Sequence, residues 1–288
     1  LGDALTLRVA DHPRFADALA MACAALPGAT RFLCAVAGPV EPGRGALTNA
    51  PWAIEAAALP FEEVRLLNDL EAMAWSLGAL SSGHVESWRA GSPTPDAPVL
   101  VIAPGTGLGL AVRHGDRVTA TEAGHSAFAP YDEEEAAILA HLRARQGVVS
   151  NEDLLCGEGL PRLAAAMGAL RGAPPPPASA AALAAAAAQG EVLARDAIAL
   201  FWRALGGFCG DAALMHGARG GVYLAGGAAT KLLPFCDRAA FLARFDAKPR
   251  MRDYLARIPL NRVTHPEPGL LGLAALAAKQ KLARRRRE

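Results

Sequence analysis

A chain of 288 residues, 52% hydrophobic and 20% charged, is long enough for one sizeable core or two small domains and excludes a single short module. Lys and Arg number 29 against 28 Asp and Glu, and a formal charge of +1 gives no overall attraction to phosphate backbones or acidic membranes, so neither nucleic acid nor membrane is an expected partner. The 29 glycines and 21 prolines fall short of a low-complexity composition, and a globule is expected.

Cys23, Cys34, Cys156, Cys209 and Cys236 include no Cys-x-x-Cys pair, which argues against a disulfide framework or a tetrahedral zinc site and for a reducing compartment. The longest uncharged stretches, 97–112 and 172–190, are broken by Pro and Gly or are mostly Ala, and no basic-then-apolar leader opens the chain. A cytoplasmic protein is expected.

In chain order, residues 4–9 read as a strand, 14–25 as a helix, and the apolar run 31–37, closed by Gly38-Pro39, as a buried strand. A second buried strand, 64–67, is closed by Asn68-Asp69, and a helix follows over 70–80. Strand and helix in alternation mean an α/β fold. The Ser-, Gly- and Pro-rich stretch 82–97 reads as a loop at a domain edge. The sheet resumes at 98–103, and residues 108–112 and 118–121 form a hairpin about His114-Gly115-Asp116. Asp132, with Glu135 three residues on, caps a helix that runs to Arg145 and stops at Gly147. After the proline loop that begins at Ala173, the alanines 180–188 read as a solvent-tolerant helix. Residues 221–227 read as a last buried strand, followed by a helix from Ala229 to Phe235, and Arg284–Arg287 as a solvated end.

Four stretches are candidates for chemistry. Gly105-Thr106-Gly107, with Gly109, follows a strand, where free amides can cradle phosphate oxygens. No helix opens after these glycines, which argues against a dinucleotide site and for a phosphate loop at a hairpin tip, or for a plain turn. Asn68-Asp69 stands where open α/β sheets present ligand groups, and it reads equally as an N-cap. Glu122, His125 and Glu152 together can grip adjacent hydroxyls, as a sugar demands. Taken singly, Glu152 is a first-turn acid and His125 a core histidine. At Gly226-Gly227 the missing side chains leave room for a flat ring or ribose, or for close strand-to-helix packing.

The order of these stretches, joined by Gly38-Pro39-Val40, Leu47-Thr48-Asn49, Trp52, Phe128-Ala-Pro130, Ser150-Asn-Glu152, Gly220 to Gly227 and Pro268-Gly-Leu-Leu-Gly272, resembles the bacterial glucokinases of the non-zinc type. The resemblance implies an α/β, two-domain actin-like ATPase (ribonuclease H-like) fold with a cleft between the domains. Residues 1–80 and 265–288 would form the small domain and 81–264 the large one. It implies ATP-dependent phosphorylation of glucose at the 6-hydroxyl, with Asp69 as general base and Asn68, Glu122, His125 and Glu152 on the other hydroxyls. Gly105, Thr106 and Gly107 would wrap the phosphates and Gly226 and Gly227 face the adenosine, with Mg2+ arriving on ATP; a homodimer is implied, and no residue is assigned as a metal ligand.

Two departures stand out. The family's Glu-Gly-Gly-His reads Glu122-Ala-Gly-His125, a change expected to matter little if Ala123 avoids positive φ. The family's amino-terminal Asp-x-Gly-Gly-Thr-Asn phosphate motif has no match before Gly38, and the chain opens with Leu1; about 25 residues, two strands and their turn, are counted as absent. A trimmed start is one reading. The 288-residue chain is then expected to be nearly inactive and aggregation-prone, and active once its upstream codons are restored. The alternatives are a kinase for another hexose or amino sugar, whose usual cysteine-rich zinc motif is not seen, and a sugar sensor that has lost catalysis. With no winged-helix segment before the sugar domain, a DNA-binding regulator is disfavoured.

Overall fold

The computed structural model describes residues 5–48 and 50–285, and the chain divides into two compact units, Leu1–Ser81 with His265–Glu288, and Ser82–Thr264.

In the first unit, the strand expected over 4–9 does not form in its described part: residues 5–8 are irregular and Val9–Asp11 make one 3-10 turn. A strand needs a neighbour for its backbone groups, and among the described residues no strand pairs with this segment, whose Leu5 is 54% exposed. Helix α1 (Phe15–Ala25) starts behind Pro13 and leads into β1 (Arg31–Val36). Three short strands follow, β2 (Val40–Glu41), β3 (Arg44–Ala46) and β4 (Ala53–Glu55), paired antiparallel in that order. Then β5 (Glu63–Asn68) lies parallel to β1, with Val36 opposite Asn68. Helix α2 (Asp69–Ser76) opens directly from β5 and ends short of the expected residue 80, where Ala79 N–H bonds back to the Ser76 carbonyl at 2.7 Å.

The C-terminal helix, Pro268–Arg285, lies on α2. A Cβ on Gly272 would stand 1.7 Å from the Ala72 carbonyl oxygen, so the two helix backbones touch there and only glycine fits. Ala72, fully buried, is the α2 residue at this contact. The second glycine of the Pro268-to-Gly272 stretch is therefore a packing residue. Arg284 and Arg285 continue the helix, while Arg286 and Arg287, like Asn49 of the Leu47-Thr48-Asn49 stretch, lie outside the described residues.

The second unit begins with a strand where a loop was expected: β6 (Val85–Arg89) pairs antiparallel with a later strand. Its neighbours in sequence disguise it, and tertiary contacts hold it. Trp88 meets Phe241 edge-to-face at 5.3 Å, and Arg89 Nη1 donates to both Asp246 oxygens, at 2.9 and 2.8 Å. Strands β7 (Val99–Pro104), β8 (Leu108–His114) and β9 (Arg117–Thr121) form an antiparallel meander.

Five helices come next: α3 (Glu133–Gln146), α4 (Gly159–Arg171), α5 (Ala180–Ala188), α6 (Val192–His216) and, after β10 (Gly221–Leu224), α7 (Gly227–Leu232). The last thus opens two residues before the expected Ala229. Then α8 (Arg238–Phe245) and α9 (Arg252–Ala256) lead to β11 (Leu260–Val263). The sheet order is β6-β11-β10-β7-β8-β9, with β10 parallel to both β7 and β11. A meander followed by parallel strands is the ribonuclease H-like arrangement, with β6 added at the edge.

Helix α6 is the spine of this unit. By length and composition it is apolar enough to cross a membrane, yet 72% of its most apolar window is buried inside the fold, with Phe201 and Trp202 in the core. A Cβ on Gly206 or Gly210 would stand 2.5 or 2.4 Å from the Phe241 or Phe245 carbonyl oxygen, so glycines four apart let α8 settle on α6. The alanine helix α5 is not solvent-tolerant throughout, because Leu183 and Ala187 are fully buried. In α3, Asp132 accepts the Glu135 N–H at 2.9 Å as expected, and the buried Glu135 carboxylate pairs with Arg244 at 3.2 Å.

Candidate active site

The predicted site residues fall on both units. In the first, Asn68 is the N-cap of α2: its side-chain oxygen accepts the Leu70 N–H at 2.9 Å and its amide donates to the Gly38 carbonyl at 3.2 Å. That ties the loop after β1 to the end of β5. Among the described residues these two bonds use one amide hydrogen and one lone pair of the Asn68 side chain. Asp69, half-buried at the first position of α2, accepts the same Leu70 N–H at 2.9 Å through Oδ1. Gly38 has a steric reason of its own, since a Cβ there would stand 2.2 Å from the Ala46 carbonyl oxygen.

In the second unit, the carboxyl ends of adjacent parallel strands β7 and β10 open into the two glycine turns, joined by Ala225 N–H on the Ile102 carbonyl at 2.9 Å. Gly226, at φ +92°, backs onto Pro104. Glu122, His125 and Glu152 gather beside the first turn, with His125 Nε2 3.9 Å from Glu122 Oε2 and 3.8 Å from Glu152 Oε1. His125 is exposed rather than a core histidine, and Glu152 is only 32% exposed.

Backbone bonds hold the trio. Glu152 N–H donates to the Gly124 carbonyl at 2.8 Å, and Asn151, buried beside it, donates through Nδ2 to Ser126 O and Oγ, both at 3.0 Å. Cys156 Sγ contacts the Glu152 carbonyl at 3.1 Å, and burial pushes its thiol up, so it stays protonated and structural. Cys156 is a part that the sequence pattern does not single out, and Asn151 stands there only within the Ser150-Asn-Glu152 stretch, with no role given to it. Gly124 admits no side chain, because a Cβ would stand 2.1 Å from the Leu108 carbonyl oxygen. Ala123 does not have positive φ, so the departure from Glu-Gly-Gly-His adds a methyl without backbone strain.

The glycine turn differs from the open cradle that was expected. Gly105 N–H is used by the Gly107 carbonyl at 2.8 Å and Leu108 N–H by Glu152 Oε2 at 2.6 Å. Among the described residues, the amides of Thr106 and Gly107 have no backbone partner in the turn, and Thr106 is exposed. A side chain on Gly105 or Gly227 would meet open space. Two glycine turns at the ends of adjacent strands, beside two acids and an imidazole, can take an anionic group and a polyhydroxylated one side by side.

The family model for glucokinase matches residues 2–280. A protein named glucokinase from Chromobacterium violaceum is 41% identical over 285 residues, covering 95% of this chain and 82% of the relative. The crystal structure of a glucokinase from an Antarctic psychrotroph superposes with a TM-score of 0.85 at 30% identity, over 94% of this chain and 88% of that one. At 21% identity, a Balamuthia mandrillaris glucokinase in complex with glucose has the same fold, with a TM-score of 0.76, over 92% of this chain and 82% of that one. The fold is that of the two-domain actin-like ATPases, and the chain belongs to the glucokinase family.

Proposed function

We propose that the protein transfers the γ-phosphoryl group of MgATP to the 6-hydroxyl of glucose. Asp69 accepts the hydroxyl proton as the sugar oxygen bonds to phosphorus; the bond from phosphorus to the bridging oxygen breaks and ADP leaves. Phosphoryl transfer needs alignment, charge neutralisation and one positioned carboxylate more than it needs covalent chemistry from the protein. The carboxylate can take the proton late, once the attacking oxygen has begun to bond.

Glu122, His125 and Glu152, with the remaining valences of Asn68, hold the other hydroxyls, and Thr106 and Gly107 offer amides to the phosphates, with Gly226 and Gly227 toward the adenosine. Mg2+ enters with the nucleotide, since magnesium bound to ATP needs only one or two carboxylates besides the phosphates.

The observation that carries this reading is the convergence of both acids on His125 Nε2 within 3.9 Å, beside the glycine turn. A coupled assay with glucose, mannose and N-acetylglucosamine, each with ATP, tests it. Glucose as the best substrate with ADP released one for one supports the reading; a preference for the amino sugar, or sugar binding with no ADP release, contradicts it.

A further inference from the structure

Glu152 belongs to two structures at once. Its Oε2 accepts the Leu108 N–H at 2.6 Å, a charge-assisted bond into the glycine turn, while its Oε1 stands 3.8 Å from His125 Nε2 in the sugar cluster. The backbone repeats the link. Glu152 N–H is fixed to Gly124, one residue before His125, and Gly157 N–H donates to the Gly105 carbonyl at 2.8 Å, so the segment 152–157 joins the cluster to the turn at both its ends.

The carboxylate reaches Leu108 because Gly107 has no side chain. A Cβ on Gly107 would stand 2.5 Å from Glu152 Oε2, 3.1 Å from its Cδ and 3.5 Å from Oε1, so its three nearest neighbours all belong to that one carboxylate. Gly107 is not among the positive-φ residues, so its backbone conformation makes no demand for glycine. The space it vacates is the space that the carboxylate occupies.

We propose that Gly107 is a positioning residue for the sugar: it holds Glu152 with one oxygen on Leu108 N–H and the other turned to the hydroxyls. This rests on the sugar-binding reading above and gives Gly107 a second part besides any contact with phosphate. The obstacle to a side chain at 107 is the end of a flexible side chain rather than backbone. Gly107→Ala therefore folds, and the carboxylate moves off its anchor.

The test is glucose binding without nucleotide, followed by calorimetry, in the wild type, Gly107→Ala, Glu152→Ala and the double variant, with thermal midpoints recorded for each. Gly107→Ala is expected to weaken glucose binding about tenfold or more while the double variant binds no worse than Glu152→Ala, since the effect runs through one carboxylate. Wild-type affinity in Gly107→Ala, with only the KM for ATP raised, overturns the proposal and leaves Gly107 a phosphate residue. Additive losses in the double variant overturn it as well, because they mean general damage to the turn. If the wild type itself binds no glucose, the sugar reading fails first, and that is seen before any variant is compared.

Discussion

A Cβ placed on Gly226 would stand 2.5 Å from the carbonyl oxygen of Pro104, so the two glycine turns touch through backbone at this point. Gly226 also has φ +92°, a conformation that an L-residue rarely adopts. Gly227, next to it, is exposed and has open space where its side chain would be. The pair sets a glycine whose fold leaves no room for a side chain beside one whose side-chain position is open, although the proposed reading turns both toward the adenosine. Gly226→Ala is expected to lose about 2 kcal/mol or more in urea denaturation, from strain and overpacking. Gly227→Ala is expected to keep its stability and to show any effect in the KM for ATP. Equal stability losses in both variants would contradict this division.

The Glu122-to-His125 stretch makes a similar contrast. Gly124 faces the Leu108 carbonyl oxygen at 2.1 Å from a would-be Cβ, and the obstacle there is backbone, which cannot move aside cheaply. Gly124→Ala is expected to cost about 1–3 kcal/mol or more and to displace Glu152, whose N–H bonds the Gly124 carbonyl. Ala123→Gly, which restores the family's Glu-Gly-Gly-His, is expected to change stability by no more than about 1 kcal/mol and to leave glucose affinity as it was. Thermal melts and glucose titration of the two variants side by side decide it.

The loop carrying Glu152 is expected to lose stability in acid through Asp153. Burial pushes the Asp153 carboxyl up, but the Ser150 N–H and hydroxyl, both at 2.9 Å, and Arg162 at 2.8 Å outweigh it and hold the carboxyl below the usual carboxylate range. With its pKa depressed on folding, the group binds fewer protons in the native state than in the unfolded one. Its stabilisation is present above the unfolded value of about 3.9 and disappears as pH falls through the lower folded value. Asp153→Asn is expected to melt below the wild type near neutral pH, with the gap closing as pH falls below the usual carboxylate range. A gap that stays constant with pH would contradict this origin.

Much of this architecture is legible in residue order alone, and the exceptions have physical causes. Strands β1, β5, β7 and β8 are apolar runs ended by Gly, Pro or Asn, and the cap at Asp132 with Glu135 marks α3 directly. Strand β6 is hidden because an edge strand with Glu86, Ser87 and Arg89 carries no apolar run and sits among Ser, Gly and Pro. Residues 5–9 show the converse, a strand-like pattern with no strand paired to it among the described residues. At the site, Asn68 is the cap that its residue type allows, and its second bond, to Gly38, joins residues 30 apart that no local pattern connects. The Leu108 bond to Glu152 spans 44 residues, so nothing in the Gly105-to-Gly109 stretch reveals that Gly107 makes room for a carboxylate. Asn151 and Cys156 hold the trio through backbone carbonyls, for which their residue types give no signal.

The central claim is that Asp69 accepts the proton of the attacking hydroxyl. Asp69→Asn keeps the shape and the acceptor oxygen for Leu70 N–H while removing the capacity to take a proton. Steady-state kinetics of this variant, paired with glucose binding measured directly, is the sharpest test. In Asp69→Asn, kcat is expected to fall about a hundredfold to ten-thousandfold, with glucose affinity changed by no more than about a few-fold. A variant that turns over at close to the wild-type rate would show that the proton goes elsewhere.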